Sequence, residues 1–376
     1  MFHTIKTKHL LWTLIGVTLL SIASCSKGSE DVLPNSDNGQ TDNPSTNNHV
    51  VTAYCTWYGS TLPNPKYVTN INYAFAEVYV VNGVYKGFKL EGEESRFQQV
   101  VNLKKANSSL KISLSFTHVV ENSDNKQDGG FSAIAASDIY RQQFAEDCLS
   151  FIKKWGIDGI DIDWEYPGLS WSGAASDPAN DVNNFTLLMK QLRTTLGNNY
   201  LLTFAGYVRD KVKTTKGYKY MDLAAVAPYI DYIYMMTYDM DSAPHHHSAL
   251  SDTSCYWDCK RTVESYATAG VPYSKMLLGI PFYGRHSFSE SPAAITYKNI
   301  LNLSSSYKID NWDAKAQVPY VTKDGVFFCG YDNPQSIAIK GAWILGLGMR
   351  GMFYWECSQD DAAYTLAKAV WNATIK

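Results

Sequence analysis

From residue 50 onward, short runs rich in Val, Ile, Tyr and Phe alternate with longer stretches whose apolar residues recur every three to four positions. The first pattern is that of a strand, the second that of an amphipathic helix. Strands are predicted over residues 50–54, 70–75, 111–116, 159–164, 200–207, 232–238, 276–282 and 351–355. Eight βα units in this rhythm predict an α/β fold, a closed (β/α)8 barrel. Among the helices, residues 137–155 open on Ser137 and space Ile139, Phe144, Cys148, Leu149 and Ile152 at helical intervals. A second is predicted to start at Asp177 with Pro178 in its first turn, another over about 334–345, and the last over 359–371.

One connection breaks the rhythm. Between the seventh strand and the helix near 334 lie about fifty residues rich in Tyr, Ser, Asn and Phe, far beyond an ordinary βα loop. This predicts a small inserted α+β subdomain over about 285–330, between strand 7 and helix 7, raising one wall of a cleft.

Charge narrows the partners. The formal net charge of −3 gives no basic field to gather nucleic acid. At the N-terminus, His3, Lys6, Lys8 and His9 precede an apolar run over 10–23, too short to span a bilayer, so residues 1–24 are expected to be a secretion signal. Ile22-Ala23-Ser24-Cys25 resembles the bacterial lipobox, which implies lipidation of Cys25 and membrane attachment through it. Residues 25–48 hold almost no large apolar side chain and are expected to be a flexible tether. The folded body, 49–376, would then be held at the cell envelope, at the outer membrane, as a monomer.

Besides Cys25 there are six cysteines, Cys55, Cys148, Cys255, Cys259, Cys329 and Cys357. An even number in an exported chain permits disulfides, the pair Cys255 and Cys259 among them, and free buried thiols fit equally. His245, His246 and His247 are adjacent in a loop and share no face, so no metal site is expected from them. No cofactor is implied.

The chemistry concentrates in 156–168, Gly-Ile-Asp-Gly-Ile-Asp-Ile-Asp-Trp-Glu-Tyr-Pro-Gly. On a strand, alternate side chains share a face, so Asp161, Asp163 and Glu165 point one way and Ile160, Ile162 and Trp164 the other. The apolar set suits an outer helix layer. The carboxyls then project into the barrel, where like charges are costly and at least one must keep a proton. Tyr166-Pro167-Gly168 ends the strand and puts Glu165 at the C-terminal rim, where barrel enzymes carry their sites. A calcium site or a solvent-facing acidic strand is the alternative, but Ile, Ile and Trp opposite the acids argue against a surface strand.

This stretch resembles the DxxDxDxE signature of glycoside hydrolase family 18, the chitinases and related endo-β-N-acetylglucosaminidases. Residues 71–75 (Ile-Asn-Tyr-Ala-Phe), 235–239 (Met-Met-Thr-Tyr-Asp), 279–285 (Gly-Ile-Pro-Phe-Tyr-Gly-Arg) and 351–356 (Gly-Met-Phe-Tyr-Trp-Glu) extend the similarity in the family's order. The resemblance implies a partner containing N-acetylglucosamine and a reaction in which the substrate's own acetamido oxygen is the nucleophile. It implies Glu165 as proton donor, Asp163 as orienter of the acetamido group, Asp161 beneath it sharing its proton, and Tyr238 on the acetamido carbonyl. Trp355, Tyr54, Phe75, Met236, Asp239 and Arg285 are implied as substrate contacts, and Asp158 as support for the strand end.

The third strand departs from the family pattern. Lys111 and Ser115 are kept, with Ser115 within reach of Asp161, but Thr117 and His118 stand where two glycines are usual. Hydrolysis of chitin or chitooligosaccharides is the leading expectation. Cleavage of glycan chitobiose cores, or a non-catalytic chitin-binding lectin on the same scaffold, are the alternatives.

Overall fold

The computed structural model describes residues 49–118, 130–169, 175–207, 213–214, 217–218, 220–255 and 257–376. The signal, Cys25 and the tether lie outside them. Eight strands form the barrel: β1 (Val50–Thr56), β2 (Asn70–Val81), β3 (Lys111–Thr117), β4 (Gly159–Asp163), β5 (Leu201–Gly206), β6 (Tyr232–Met235), β7 (Met276–Pro281) and β8 (Gly351–Trp355). Each pairs in parallel with the next, and β8 pairs with β1, so the sheet closes on itself. This is the (β/α)8 barrel expected from the alternation.

Closure separates two apolar regions. Outside the sheet, Ile160, Ile162 and Trp164 pack with Phe144, Cys148 and Ile152 of helix Asp138–Trp155 and with Phe185 and Leu188 of helix Asp181–Leu196. Inside it lies a smaller, more aromatic cluster of Tyr54, Tyr234, Tyr238, Tyr283 and Phe353. The face that alternation assigned to Asp161 and Asp163 is therefore the barrel interior. Gly159 opens β4 because a Cβ there would meet the Leu201 carbonyl oxygen at 2.4 Å.

Differences from the sequence expectation have local causes. β2 runs on to Val81 and turns back through Asn82-Gly83, both with positive φ, into an antiparallel strand Val84–Leu90; this is the dipeptide that a tight hairpin favours. β6 stops at Met235, where the Thr237 hydroxyl takes over ladder positions, donating to the Gly279 carbonyl at 2.8 Å and accepting from Gly279 N–H at 2.9 Å. The helix expected from Asp177 starts at Asp181, whose carboxylate accepts from Asp177 N–H (2.7 Å), Gly168 N–H (3.1 Å) and Ser132 Oγ–H (2.7 Å). The last helix is Thr365–Thr374, because Asp360 accepts from the N–H groups of Leu366 and Ala367 and fixes its start there. All six cysteines in the described residues are buried free thiols, Cys255 and Cys259 included.

The stretch after β7 forms a five-stranded antiparallel sheet, Tyr283–Arg285, Ala294–Thr296, Tyr307–Asp313, Val318–Lys323 and Val326–Gly330, with a short helix Tyr297–Ile300. Helix Pro334–Gly346 follows, opened by a reciprocal cap between Asn333 and Ser336.

Candidate active site

At the C-terminal rim of the barrel lies a cavity of about 450 Å³. Nine of the ten residues singled out in the sequence line it: Tyr54, Phe75, Asp163, Glu165, Met236, Tyr238, Asp239, Arg285 and Trp355. The tenth, Asp161, is fully buried beneath the floor. Thr117 and His118 also line the cavity, and so do Trp57, Tyr58, Glu91, Tyr166, Tyr207 and Tyr283.

Strand register explains the floor. β3 pairs Ser115 with Asp161 and Thr117 with Asp163, while β5 pairs Thr203 with Asp161. Asp161 consequently accepts from Ser115 Oγ (2.6 Å), Thr203 Oγ1 (2.6 Å) and Tyr54 Oη (2.8 Å). Burial pushes its pKa up, and the three hydroxyl donors oppose that rise.

Asp163 has fewer donors. Burial, followed by the neighbouring charges of Glu165 and Asp161, pushes its pKa well above the carboxylate range, so it keeps a proton and donates it to Glu165. The sequence had suggested sharing with Asp161. Three hydroxyls surround Asp161, and Asp163 has Glu165 as a hydrogen-bond partner. Such a pair titrates as a unit. Glu165 is itself raised by burial, opposed by hydrogen bonds from Tyr166 and Asp163, and it keeps part of its surface open to the cavity.

Asp239 behaves in the opposite way. Burial alone would raise it, but hydrogen bonds and charge from His247 and Arg285 outweigh burial and hold it well below the usual range. Arg285 grips it with both arms, Nε to Oδ1 at 2.8 Å and Nη2 to Oδ2 at 2.7 Å. Its negative charge in turn favours the protonated form of Glu165. Tyr238, nearly buried, keeps its hydroxyl proton because burial and the charges of Asp163 and Glu165 push its pKa well up.

The aromatic wall runs across strands. Trp355 at the end of β8 stacks on Phe75 with centroids 5.8 Å apart and lies 5.5 Å from Tyr54. Peptide bonds Ala74-Phe75, Glu165-Tyr166 and Trp355-Glu356 are cis. On the opposite side Tyr166 meets Tyr207 and Tyr220. His118 is buried, its Nδ1 accepting from Glu165 N–H at 3.3 Å, and burial pushes its pKa down to about 4. It is therefore a neutral acceptor fixing the backbone of Glu165. Asp158 lies outside the cavity, where it accepts from Ile112 N–H at 2.9 Å and pairs with Lys104 and Lys111.

Tyr166, with its hydrogen bond to Glu165, was the functional neighbour most open to sequence reasoning, since it directly follows the acid. Trp57, Tyr58 and Glu91 carry no motif and reach the cavity only through the fold.

A closed barrel with a proton-sharing carboxyl pair at its C-terminal rim, above a buried third carboxyl, defines a class of acid–base sites able to give a proton to a bound atom and take one back. The model of Glycosyl hydrolases family 18 matches residues 45–360, and the chain belongs to that family. Chitinase A1 of Niallia circulans is 28% identical over 274 residues, 61% of this chain and 38% of that protein. Chitinase 1 of Aphanocladium album is 26% identical over 342 residues, 77% of this chain and 75% of that protein. The chain thus spans less than half of the first relative and three quarters of the second. Among solved structures, a family 18 N-acetylglucosaminidase from Paenibacillus barengoltzii is similar, with a TM-score of 0.71 and 26% identity over 86% of this chain and 99% of that one.

Proposed function

We propose that this chain hydrolyses β-1,4 bonds between N-acetylglucosamine units, in chitin or chitooligosaccharides, by a retaining, substrate-assisted route. The observation that carries the proposal is the Asp163–Glu165 pair: a carboxyl with raised pKa faces the cavity, hydrogen-bonded to a second carboxyl that keeps its own proton. The chitinases and the N-acetylglucosaminidase among the similar proteins support the substrate class.

In this mechanism Glu165 gives its proton to the glycosidic oxygen as the bond from that oxygen to C1 breaks. The substrate's acetamido carbonyl oxygen bonds to C1 from the other side, forming an oxazolinium ring. The Asp163 carboxyl orients the acetamido N–H, and its environment favours the shift of charge onto that group. Tyr238 Oη–H donates to the acetamido carbonyl. Glu165, now a carboxylate, takes a proton from water as the water oxygen attacks C1, opening the ring and restoring both enzyme and configuration. Trp355, with Phe75 and Tyr54 behind it, offers an apolar face to the sugar at the cleavage point. No separate protein nucleophile is needed, which suits three acids stacked on one strand.

Glu165→Gln tests the assignment. Turnover of chitooligosaccharides is expected to fall on the order of 10²–10⁴-fold while oligosaccharide binding is retained; unchanged turnover would remove Glu165 from its role. Cleavage of glycan chitobiose cores is the second reading, favoured by Thr117 and His118 lining the cavity where the family usually has glycines. Release of a glycan from a glycoprotein, with chitin oligomers left intact, selects it.

A further inference from the structure

The three adjacent histidines face three different partners. His246 Nε2 lies 3.2 Å from Asp313 Oδ2, and His247 Nδ1 lies 3.4 Å from Asp239 Oδ1 at the rim of the catalytic cavity. His245 joins a separate group: one ligand atom each from Asp241, His245 and Cys255 lie within 4.8 Å of one another. We propose that these three residues form a zinc site that closes the loop following β6, distinct from the acid–base site.

The donor set selects the ion. A thiolate sulfur, an imidazole nitrogen and a carboxylate oxygen suit zinc, whereas calcium and magnesium take oxygen ligands. Zinc bonds of about 2.0–2.3 Å place tetrahedral ligands roughly 3.3–3.8 Å apart, so the three donors need to draw together by about 1 Å, within the reach of side-chain rotation. No zinc spacing is legible along the chain because the three ligands are separated by four and ten positions and the path of the loop brings them together.

The Cys255 side of the site is rigidly built. Arg261 Nη2 donates to the carbonyls of both Asp252 and Cys255, and Asp258, which accepts from Asp252 N–H at 3.0 Å, also pairs with Arg261 Nε at 2.9 Å. Asp252 Oδ1 accepts from Ser254 N–H (2.8 Å) and Oγ–H (2.6 Å), while its Oδ2 accepts the Cys255 thiol proton at 3.2 Å. When zinc bonds to Cys255 Sγ that proton leaves through Asp252 to solvent, so one proton is exchanged for the ion at this ligand. A second cavity, of about 370 Å³, is lined by His245 and Asp252 and gives solvent access to the His245 side of the group, while Asp241 and Cys255 lie outside its lining.

The test uses the untagged full chain, stripped with chelator and titrated calorimetrically with zinc chloride, with metal content measured after dialysis. One zinc per chain is expected, with affinity weakened at least 10–100-fold in Cys255→Ser and in His245→Gln. Cobalt(II) in place of zinc should give a sulfur-to-metal charge-transfer band that Cys255→Ser abolishes and Cys25→Ser retains. If Cys255→Ser does not fold, His245→Gln, a partly exposed position, decides alone. Absence of stoichiometric zinc, or equal affinity in His245→Gln and the parent, overturns the site. Chitinase activity enters none of these readouts.

Discussion

The carboxyls of the candidate site owe their behaviour to which donors each one meets. Asp161 and Asp163 sit two positions apart on β4, yet three hydroxyls surround the first while the second turns to Glu165. Asp239, half-buried at the rim, is held well below the usual range by Arg285 and His247. Three outcomes for the same functional group thus follow from neighbours together with burial. His118 shows the converse for a base: burial lowers its pKa to about 4, against the ordinary 6.5. Between these values the unfolded chain binds a proton at this position that the folded chain refuses, so stability rises with pH across the window. The contribution is fully present above pH 6.5 and lost as pH falls toward 4, and is worth on the order of 3 kcal/mol. Carboxyls with raised pKa, such as Asp163, act in the opposite sense, so the measurement must be a difference. Urea unfolding of His118→Asn and the parent, compared from pH 7 to pH 4, should show a smaller acid loss in the variant. Parallel curves would mean that His118 takes up its proton in the folded state.

At the scale of elements, the rim is held by contacts between segments distant in sequence. Lys340 on helix Pro334–Gly346 is fully buried and donates to both Asp332 oxygens, at 2.7 and 2.8 Å, and to the Ser248 carbonyl at 2.6 Å. It ties that helix to the loop after β6, which also carries Asp239. Lys340→Met leaves Asp332 buried with Ser248 Oγ–H and Ser336 Oγ–H as its side-chain donors among the described residues, so a loss of about 3–5 kcal/mol is expected in chemical denaturation. A loss below about 1 kcal/mol would show that the buried pair adds little to the stability of the fold. Nothing in the sequence marked this pair. What was legible there depended on period: alternation over 159–165 placed the acids inside and Ile160, Ile162 and Trp164 outside, because a two-residue repeat is a local property of the chain. Ends of elements were less legible, since they depend on tertiary partners. β6 ends where Thr237 bonds to β7, and the last helix starts where Asp360 caps it. The hairpin after β2 did have a local signal, Asn82-Gly83, whereas Trp57 and Glu91 reach the cavity only through the barrel's closure.

For the whole molecule, the body from Asn47 to Lys376 is one compact unit with both apolar clusters and every residue of the cleft inside it. No helix among the described residues is long and apolar enough to cross a membrane. We propose that Cys25, in its lipobox-like context, carries a membrane attachment of this chain. Two acyl chains or more on one cysteine give lasting membrane binding, where a single chain binds only marginally. The division of labour makes a paired prediction in the native host. Cys25→Ser should move the protein from the detergent phase to the aqueous phase and abolish labelling by a radioactive fatty acid. A chain starting at Asn47 should keep the parent's unfolding midpoint to within about 1 °C, a shift of roughly 0.7 kcal/mol for a body of this size. Its kcat/KM on soluble oligomers should also match. Persistence of Cys25→Ser in the detergent phase would overturn the anchor, and a lower midpoint for the shortened chain would show that residues before 47 add to the stability of the barrel.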